Sequence, residues 1–118
     1  MFRYFTYEEF DSPDIQGSGQ MMSKELIMIL ESVREELGKP IVINSGYRTP
    51  SHNRSVGGKL TSSHLKGLAV DIACTDNKYR FDLVSELLEH GIDRIGIGDT
   101  FVHADIDQEK TTDLIWTY

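Results

Sequence analysis

The sequence has few cysteines, little positive charge and no long apolar run, and each shortage argues against a class of protein. Its 118 residues include a single cysteine, Cys74, so an intramolecular disulfide framework cannot form. The net charge of −7 argues against a nucleic-acid binder, which needs a basic face. No apolar stretch approaches the roughly 20 residues that span a bilayer. We therefore expect neither nucleic acid nor membrane as a partner.

The N-terminal residues lead to predictions about cellular location and local structure. The opening stretch MFRYFTYEEF has no basic region followed by an apolar core, so we expect no signal peptide and a cytoplasmic location as synthesised. Residues 1–20 are rich in turn-forming residues and are predicted to be an irregular lead-in. The length suits one hydrophobic core, which predicts a single domain over 1–118, and we expect a monomer.

Two helices are predicted from apolar residues at helical spacing. The first covers about 23–37, with Ser23 as its N-cap and Gly38 after its end. The second covers about 77–90, with Asp76 as its N-cap. Its predicted apolar stripe consists of Phe81, Val84, Leu87 and Leu88.

The remaining patterns predict strands separated by a long loop over 46–63. Strands are predicted at 40–45 and 67–73, followed by a hairpin of DRIGIG and TFVHADID that turns about Asp99 and Thr100. The final LIWTY is either a last strand or a packed tail. This order of elements predicts an α+β fold in which helices cover one face of an antiparallel sheet.

Polar side chains stand inside two of these apolar strands. Side chains alternate between the two faces of a strand, so His103 and Asp105 share one face, opposite an apolar face that belongs to the core. Asp71 needs a partner if it is buried. His64, Asp71 and His103 provide two imidazoles and one carboxylate, a ligand set common at catalytic zinc, where a fourth position is left for water. By spacing alone, solvated or hydrogen-bonded side chains remain the commoner interpretation.

Three motifs then occur in a fixed order along the chain. SSHLKGLAVDIA matches the pattern S-x-H-x-x-G-x-A-x-D, INSGYRTPSHNRSVGG is an arginine-bearing loop, and FVHADI is an H-x-D strand. Together, over about residues 20–106, they resemble the zinc D-alanyl-D-alanine carboxypeptidases and the related L-alanyl-D-glutamate endopeptidases. This group includes phage endolysins and has the hedgehog/DD-peptidase fold.

The resemblance implies a role for each matching residue. His64, Asp71 and His103 are expected to bind one zinc ion, and Ser62 is expected to orient a ligand. Arg48 is expected to bind the substrate's carboxylate or to polarise the scissile carbonyl, which suits the planar guanidinium.

The implied function is that of a zinc metallopeptidase. It would hydrolyse D-amino-acid-containing peptide bonds of peptidoglycan stem peptides, or a D-Ala-terminated dipeptide. Carboxypeptidase and endopeptidase activity cannot be separated by sequence. The resemblance also allows a phage lysis enzyme, a virion-associated peptidase or a cytoplasmic dipeptidase.

The general base is where the sequence departs from the family. Many members carry an acidic residue three positions before the last zinc-binding histidine, and Thr100 stands there. Asp99 and Asp105 remain as candidates on the face of His103. We favour Asp105 as the base, with orientation of a ligand as its alternative role. The departure keeps open a second interpretation, a non-catalytic zinc-binding module on the same fold.

Overall fold

The chain forms a five-stranded sheet covered on one face by helices. The computed structural model describes residues 2–118. The α-helices are α1 (Lys24–Leu37), α2 (Pro50–Ser55) and α3 (Asn77–Glu89). The strands are β1 (Ile43–Ser45), β2 (Ala69–Ala73), β3 (Arg94–Ile97), β4 (Phe101–Asp105) and β5 (Leu114–Thr117). The expected α+β class is confirmed. Within residues 2–118, no helix has the length and apolar character needed to cross a bilayer.

The sheet is antiparallel except at one edge. Its strand order is β1-β2-β4-β3-β5, and the predicted hairpin forms as β3 and β4. The final strand β5 pairs parallel to β3, while the other pairings are antiparallel as expected. The reason is geometric: the chain turns back once after β4 and so runs in the direction of β3. Both edges of β4 are already occupied, by β2 and β3, so β5 pairs with the outer edge of β3.

Both long helices begin at the predicted caps, but α3 buries a different face from the one predicted. Ser23 caps α1 and Asp76 caps α3, and each side chain accepts a hydrogen bond from a backbone amide of the first turn. On α3, Leu83 and Leu87 are fully buried, whereas Phe81 is 69% exposed and Leu88 is 48% exposed. Leu83 and Leu87 are four residues apart and therefore share a face. The predicted stripe was wrong for Phe81 and Leu88, which lie away from that face.

The N-terminal residues pack under the loop that follows β1. They contain two 3-10 helices, Tyr7–Phe10 and Ser18–Met21, and Phe10 is fully buried. The carbonyl of Phe10 accepts a hydrogen bond from the amide of Tyr47 at 2.9 Å. A Cβ atom on Gly46 would lie only 2.8 Å from the Cα of Phe10, so this close approach requires glycine. The lead-in thus supports the loop that carries the predicted arginine.

Two predicted strands are shorter in the structure. Strand β1 begins at Ile43 rather than at residue 40, and β2 begins at Ala69 rather than at residue 67. Pro40 has no amide hydrogen to donate to a ladder. Gly67 adopts the left-handed conformation, with φ 71°, as the C-cap of a 3-10 helix. A side chain there would also collide with the carbonyl of Met21.

The two central strands separate the core from a polar face. Val70 and Ile72 of β2 and Val102 and Ala104 of β4 are fully buried against α1 and α3. The alternate residues of both strands point to the opposite face of the sheet, where Asp71 is paired across the ladder with His103. The predicted alternation is confirmed.

The single cysteine, Cys74, is 2% exposed and belongs to the core, and burial raises the pKa of its thiol.

Candidate metal site and cleft

Three side chains from separate segments converge on the polar face of the sheet. His64 comes from the 3-10 helix Ser63–Lys66, Asp71 from β2 and His103 from β4. One ligand atom from each lies within 4.8 Å of the others. The Oδ1 atom of Asp71 is 2.9 Å from Nδ1 of His103 and 3.4 Å from Nε2 of His64. The structure therefore brings the three predicted ligands together.

The ring of His64 is oriented by the backbone. Its Nδ1 lies 2.8 Å from the carbonyl oxygen of Gly46, which can only accept, so Nδ1 carries the proton. Nε2 faces Asp71 and is the ring nitrogen left available to a metal. The hydroxyl of Ser62 accepts a hydrogen bond from the amide of His64 at 3.2 Å, and the amide of Arg48 donates to the carbonyl of His64 at 3.1 Å. Ser62 thus acts on His64 through the backbone.

The ring of His103 is oriented by a carboxylate. Its Nε2 lies 2.6 Å from Oδ2 of Asp105, which is 1% exposed. The other oxygen of Asp105 accepts hydrogen bonds from Arg94 Nε at 2.7 Å and from the amide of Asp107 at 3.1 Å. Both carboxylate oxygens are therefore engaged. Burial opposes ionisation of Asp105, but these hydrogen bonds outweigh it and the pKa is lowered.

The charges at the cluster fit a cation. Burial works against ionisation of Asp71, yet hydrogen bonds from His103 and His64 hold its pKa well below the ordinary value. His103 lies between two carboxylates, Asp71 and Asp105, which raise its pKa in spite of burial. Arg48 and Arg94 each approach one of these carboxylates from the outside, and both carboxylates face the imidazole of His103. A divalent metal held by the two imidazoles and Asp71 would have a ligand set typical of zinc.

Arg48 lies beside the cluster and is held in place by neutral oxygens. Its Nε donates to the hydroxyl of Ser45 and its Nη1 to the amide oxygen of Asn53, both at 3.2 Å. Its Nη2 is 3.4 Å from Oδ2 of Asp71. A Cβ atom on Gly58 would lie 2.0 Å from the same oxygen of Asn53, so glycine allows this anchor. The guanidinium is thus fixed before any ligand enters.

The cluster lies in a cleft of about 580 Å³. One wall is the loop 56–59, and the other is formed by Leu114 and Trp116 of β5 together with Tyr118, which follows the strand. Although the chain is acidic, Lys59 and Lys110 also line the cleft. Such a cleft would attract an anionic ligand.

Comparison with known proteins places this arrangement in a family. The sequence model of the family described as Peptidase M15 matches residues 3–106. The chain belongs to the M15 peptidases. A zinc D-Ala-D-Ala carboxypeptidase from Streptomyces albus G is 34% identical over 77 residues. That alignment covers 58% of this chain but only 30% of the relative, so this M15 peptidase matches less than a third of the relative's length.

The two candidate bases of the M15 peptidase lie in different environments. Asp105 lies at the cluster, whereas Asp99 is exposed in the turn between β3 and β4 and does not line the cleft. Among residues 2–118, the acidic side chains that line the cleft are Asp71 and Asp105. Because both oxygens of Asp105 already have partners, this geometry favours its alternative role, orientation of His103.

Three residues at the site were not predicted from the sequence: Arg94, Asp107 and Trp116. Asp107 is fully buried and accepts hydrogen bonds from Ser63 Oγ at 2.7 Å and Lys66 Nζ at 3.0 Å, which tie the end of β4 to the segment carrying His64. The alternation that paired His103 with Asp105 continues to Asp107 and could have indicated it. Arg94 is placed opposite Asp105 by the register of the β3–β4 hairpin, which the sequence alone did not specify. No sequence signal indicated Trp116, because its position depends on the pairing of β3 with β5.

Proposed function

We propose that this M15 peptidase is zinc-dependent and hydrolyses D-amino-acid-containing peptide bonds of peptidoglycan stem peptides. The observation that carries the proposal is the convergence of His64, Asp71 and His103, with each imidazole already oriented through its other ring nitrogen. Partners that hold a ligand in this way are typical of metal sites. Similarity to the zinc D-Ala-D-Ala carboxypeptidase of Streptomyces albus G supports both zinc and a D-Ala-D-Ala substrate.

The residues around the cluster would bind and orient the peptide. Bound zinc would supply a Lewis acid for the scissile carbonyl and would lower the pKa of water. Arg48, fixed by Ser45 and Asn53, would donate to the substrate's carboxylate or carbonyl oxygen. Lys59 and Lys110 would add positive charge at the mouth of the cleft. An anionic peptide terminus is the ligand that these groups favour.

Asp105 is proposed as a positioning residue that keeps Nδ1 of His103 available to the metal. Acting as general base would require Asp105 to release His103 or Arg94. Hydrolysis nevertheless needs a group that accepts a proton from water and returns it to the leaving amine. The engagement of both oxygens of Asp105 therefore favours one alternative, a zinc-binding module of the same fold without peptidase activity.

The test is mass spectrometry of muropeptides from purified sacculi incubated with the protein, with and without a chelator. We expect chelator-sensitive products that return when zinc is restored, and none from Asp71→Asn. Release of D-alanine would identify a carboxypeptidase. Cleavage between L-alanine and D-glutamate would identify an endolysin-type endopeptidase. Stoichiometric zinc without products, from sacculi or from D-Ala-D-Ala, would favour the non-catalytic module.

A further inference from the structure

The C-terminal strand places the chain's single tryptophan against the metal cluster. The ring centroid of Trp116 lies 5.4 Å from that of His103. Trp116 also lines the cleft, and it lies beyond residues 3–106, which match the family.

The position of the indole ring is built into the sheet. Gly96 is paired with His103 on one side and with Trp116 on the other. A Cβ atom on Gly96 would lie 2.7 Å from Nε1 of Trp116, so the absent side chain makes room for the ring. The guanidinium carbon of Arg94 lies 5.1 Å from the ring centroid, within cation–π range. Arg94 is in turn held by Asp105.

The strand order sets Trp116 and Arg48 on opposite sides of the cluster. Arg48 follows β1 at one edge of the sheet, while Trp116 belongs to β5 at the other edge. Asp71 and His103 lie on strands between them. A peptide lying across the cluster with its charged end at Arg48 would therefore bring a side chain near the scissile bond against the indole.

We propose that Trp116 is a specificity-determining residue, an apolar wall that accepts small aliphatic side chains and excludes bulky ones next to the scissile bond. The inference rests on the proposed peptidase function and adds a substrate class to it: peptides with alanine-sized residues at that position. A rigid aromatic ring restricts the space beside His103 at little cost in conformational entropy.

The single tryptophan allows binding to be measured apart from hydrolysis. The zinc-loaded protein is titrated with D-Ala-D-Ala while the emission of Trp116 is followed. Hydrolysis of D-Ala-D-Ala and D-Phe-D-Ala is measured in parallel, because the first residue lies on the side of the scissile bond away from the carboxylate at Arg48. We expect a saturable change of emission. In Trp116→Ala, the preference in kcat/KM for D-Ala-D-Ala over D-Phe-D-Ala should fall by about tenfold or more, as expected when a pocket wall is removed.

Two control variants and a measurement of zinc affinity distinguish a specificity-determining Trp116 from one that only supports His103. Trp116→Phe should keep most of the preference, and Phe81→Ala, at an exposed aromatic on α3, should leave it unchanged. Zinc affinity, measured by competition with a chromophoric chelator, should stay within about threefold in Trp116→Ala. A loss of about tenfold or more would make Trp116 a support of His103 and overturn the proposal.

The remaining outcomes keep the two proposals apart. If Trp116→Ala hydrolyses both peptides with unchanged preference, Trp116 is not a specificity wall. If the wild-type protein hydrolyses neither peptide but its emission changes saturably, the proposed peptidase activity fails while the contact with the indole stands. If the emission stays flat and neither peptide is hydrolysed, the inference fails together with its substrate class.

Discussion

The two faces of the central sheet are built from the same strands but stabilised by different physics. On the helix face, Val70 and Val102 are fully buried among apolar neighbours. Burial of this kind is non-directional and depends mainly on the area and volume removed from water. On the other face, Asp71 and His103 are held by contacts between specific atoms. Core positions should therefore tolerate apolar exchange of similar volume, whereas the polar positions should tolerate hardly any.

The polar face also has a cost that the helix face lacks. Asp71 and Asp105 are largely removed from water, so each depends on hydrogen bonds to offset lost hydration. Removing one partner leaves the other charge buried and uncompensated. Substitutions at neighbouring positions of one strand should therefore affect different quantities: zinc affinity on the polar face and the free energy of unfolding on the helix face.

The largest effect is expected for Asp71→Asn. The amide can no longer supply a charged ligand, so zinc affinity should fall by more than about a hundredfold, beyond the loss expected for a residue that only orients a ligand. Peptidase activity should disappear with the metal. Isothermal titration with zinc measures the first effect. Circular dichroism controls for folding, and wild-type zinc affinity in a folded variant would contradict the assignment.

Ile72→Ala, one residue along the same strand, should give the opposite pattern. Ile72 is fully buried, and truncation in a core costs about 2–5 kcal/mol of the free energy of unfolding. Zinc bound per folded molecule should be unchanged, because the side chain faces the helices. Urea denaturation and metal analysis of the folded fraction test both statements. Loss of zinc from correctly folded Ile72→Ala would mean that the two faces are coupled.

Asp105→Asn distinguishes a base from a positioning residue. If Asp105 orients His103, zinc affinity should fall by about 10–100-fold, and activity should recover when zinc is supplied in excess. If Asp105 is the base, kcat should collapse while zinc affinity stays near that of the wild type. Chelator competition and steady-state kinetics at saturating zinc give the two numbers.

Asp107→Asn should have the smallest effect, seen in stability. Burial opposes ionisation of Asp107, but hydrogen bonds from Ser63 and Lys66 outweigh it and lower the pKa. A lowered folded-state pKa means that the charged form stabilises the fold above the ordinary pKa of about 3.9, and that this contribution is lost as the pH falls through the folded-state pKa. Losing hydrogen bonds to a charged group should cost about 2 kcal/mol near neutral pH.

The measurement is urea denaturation of wild-type protein and Asp107→Asn between pH 3 and 7, with zinc removed by a chelator from both. The difference in the free energy of unfolding should be constant near neutral pH and should shrink below about pH 4. A difference that does not depend on pH would show that the carboxylate charge of Asp107 contributes nothing.

How far the sequence could predict the site depends on how local its determinants are. His64 and Asp71 lie in one motif, and alternation along β4 placed His103 on a polar face. Their convergence follows from the ladder that pairs Asp71 with His103. Trp116 reaches the same place only through the parallel pairing of β5 with β3, which depends on which sheet edge is free. No short pattern in the sequence encodes that choice.

The buried face of α3 was predicted poorly for a related reason. Leu83 and Phe81 are both apolar, and periodicity alone assigned the larger residue to the core. The structure buries Leu83 and leaves Phe81 69% exposed, because the face of α3 is chosen by its contact with α1 and the sheet. Helix limits were predicted well since caps such as Asp76 act on the adjacent turn.

The two histidines of the cluster differ in what holds their rings, and this difference affects how the protein can change by mutation. His64 is aimed by the carbonyl of Gly46, a group that every amino acid possesses, so no single codon change can delete it. His103 is aimed by the side chain of Asp105, which one nucleotide change can replace. Genetic drift and laboratory evolution should therefore change the orientation of His103 more readily than that of His64, whose ring stays fixed as long as its loop keeps its path.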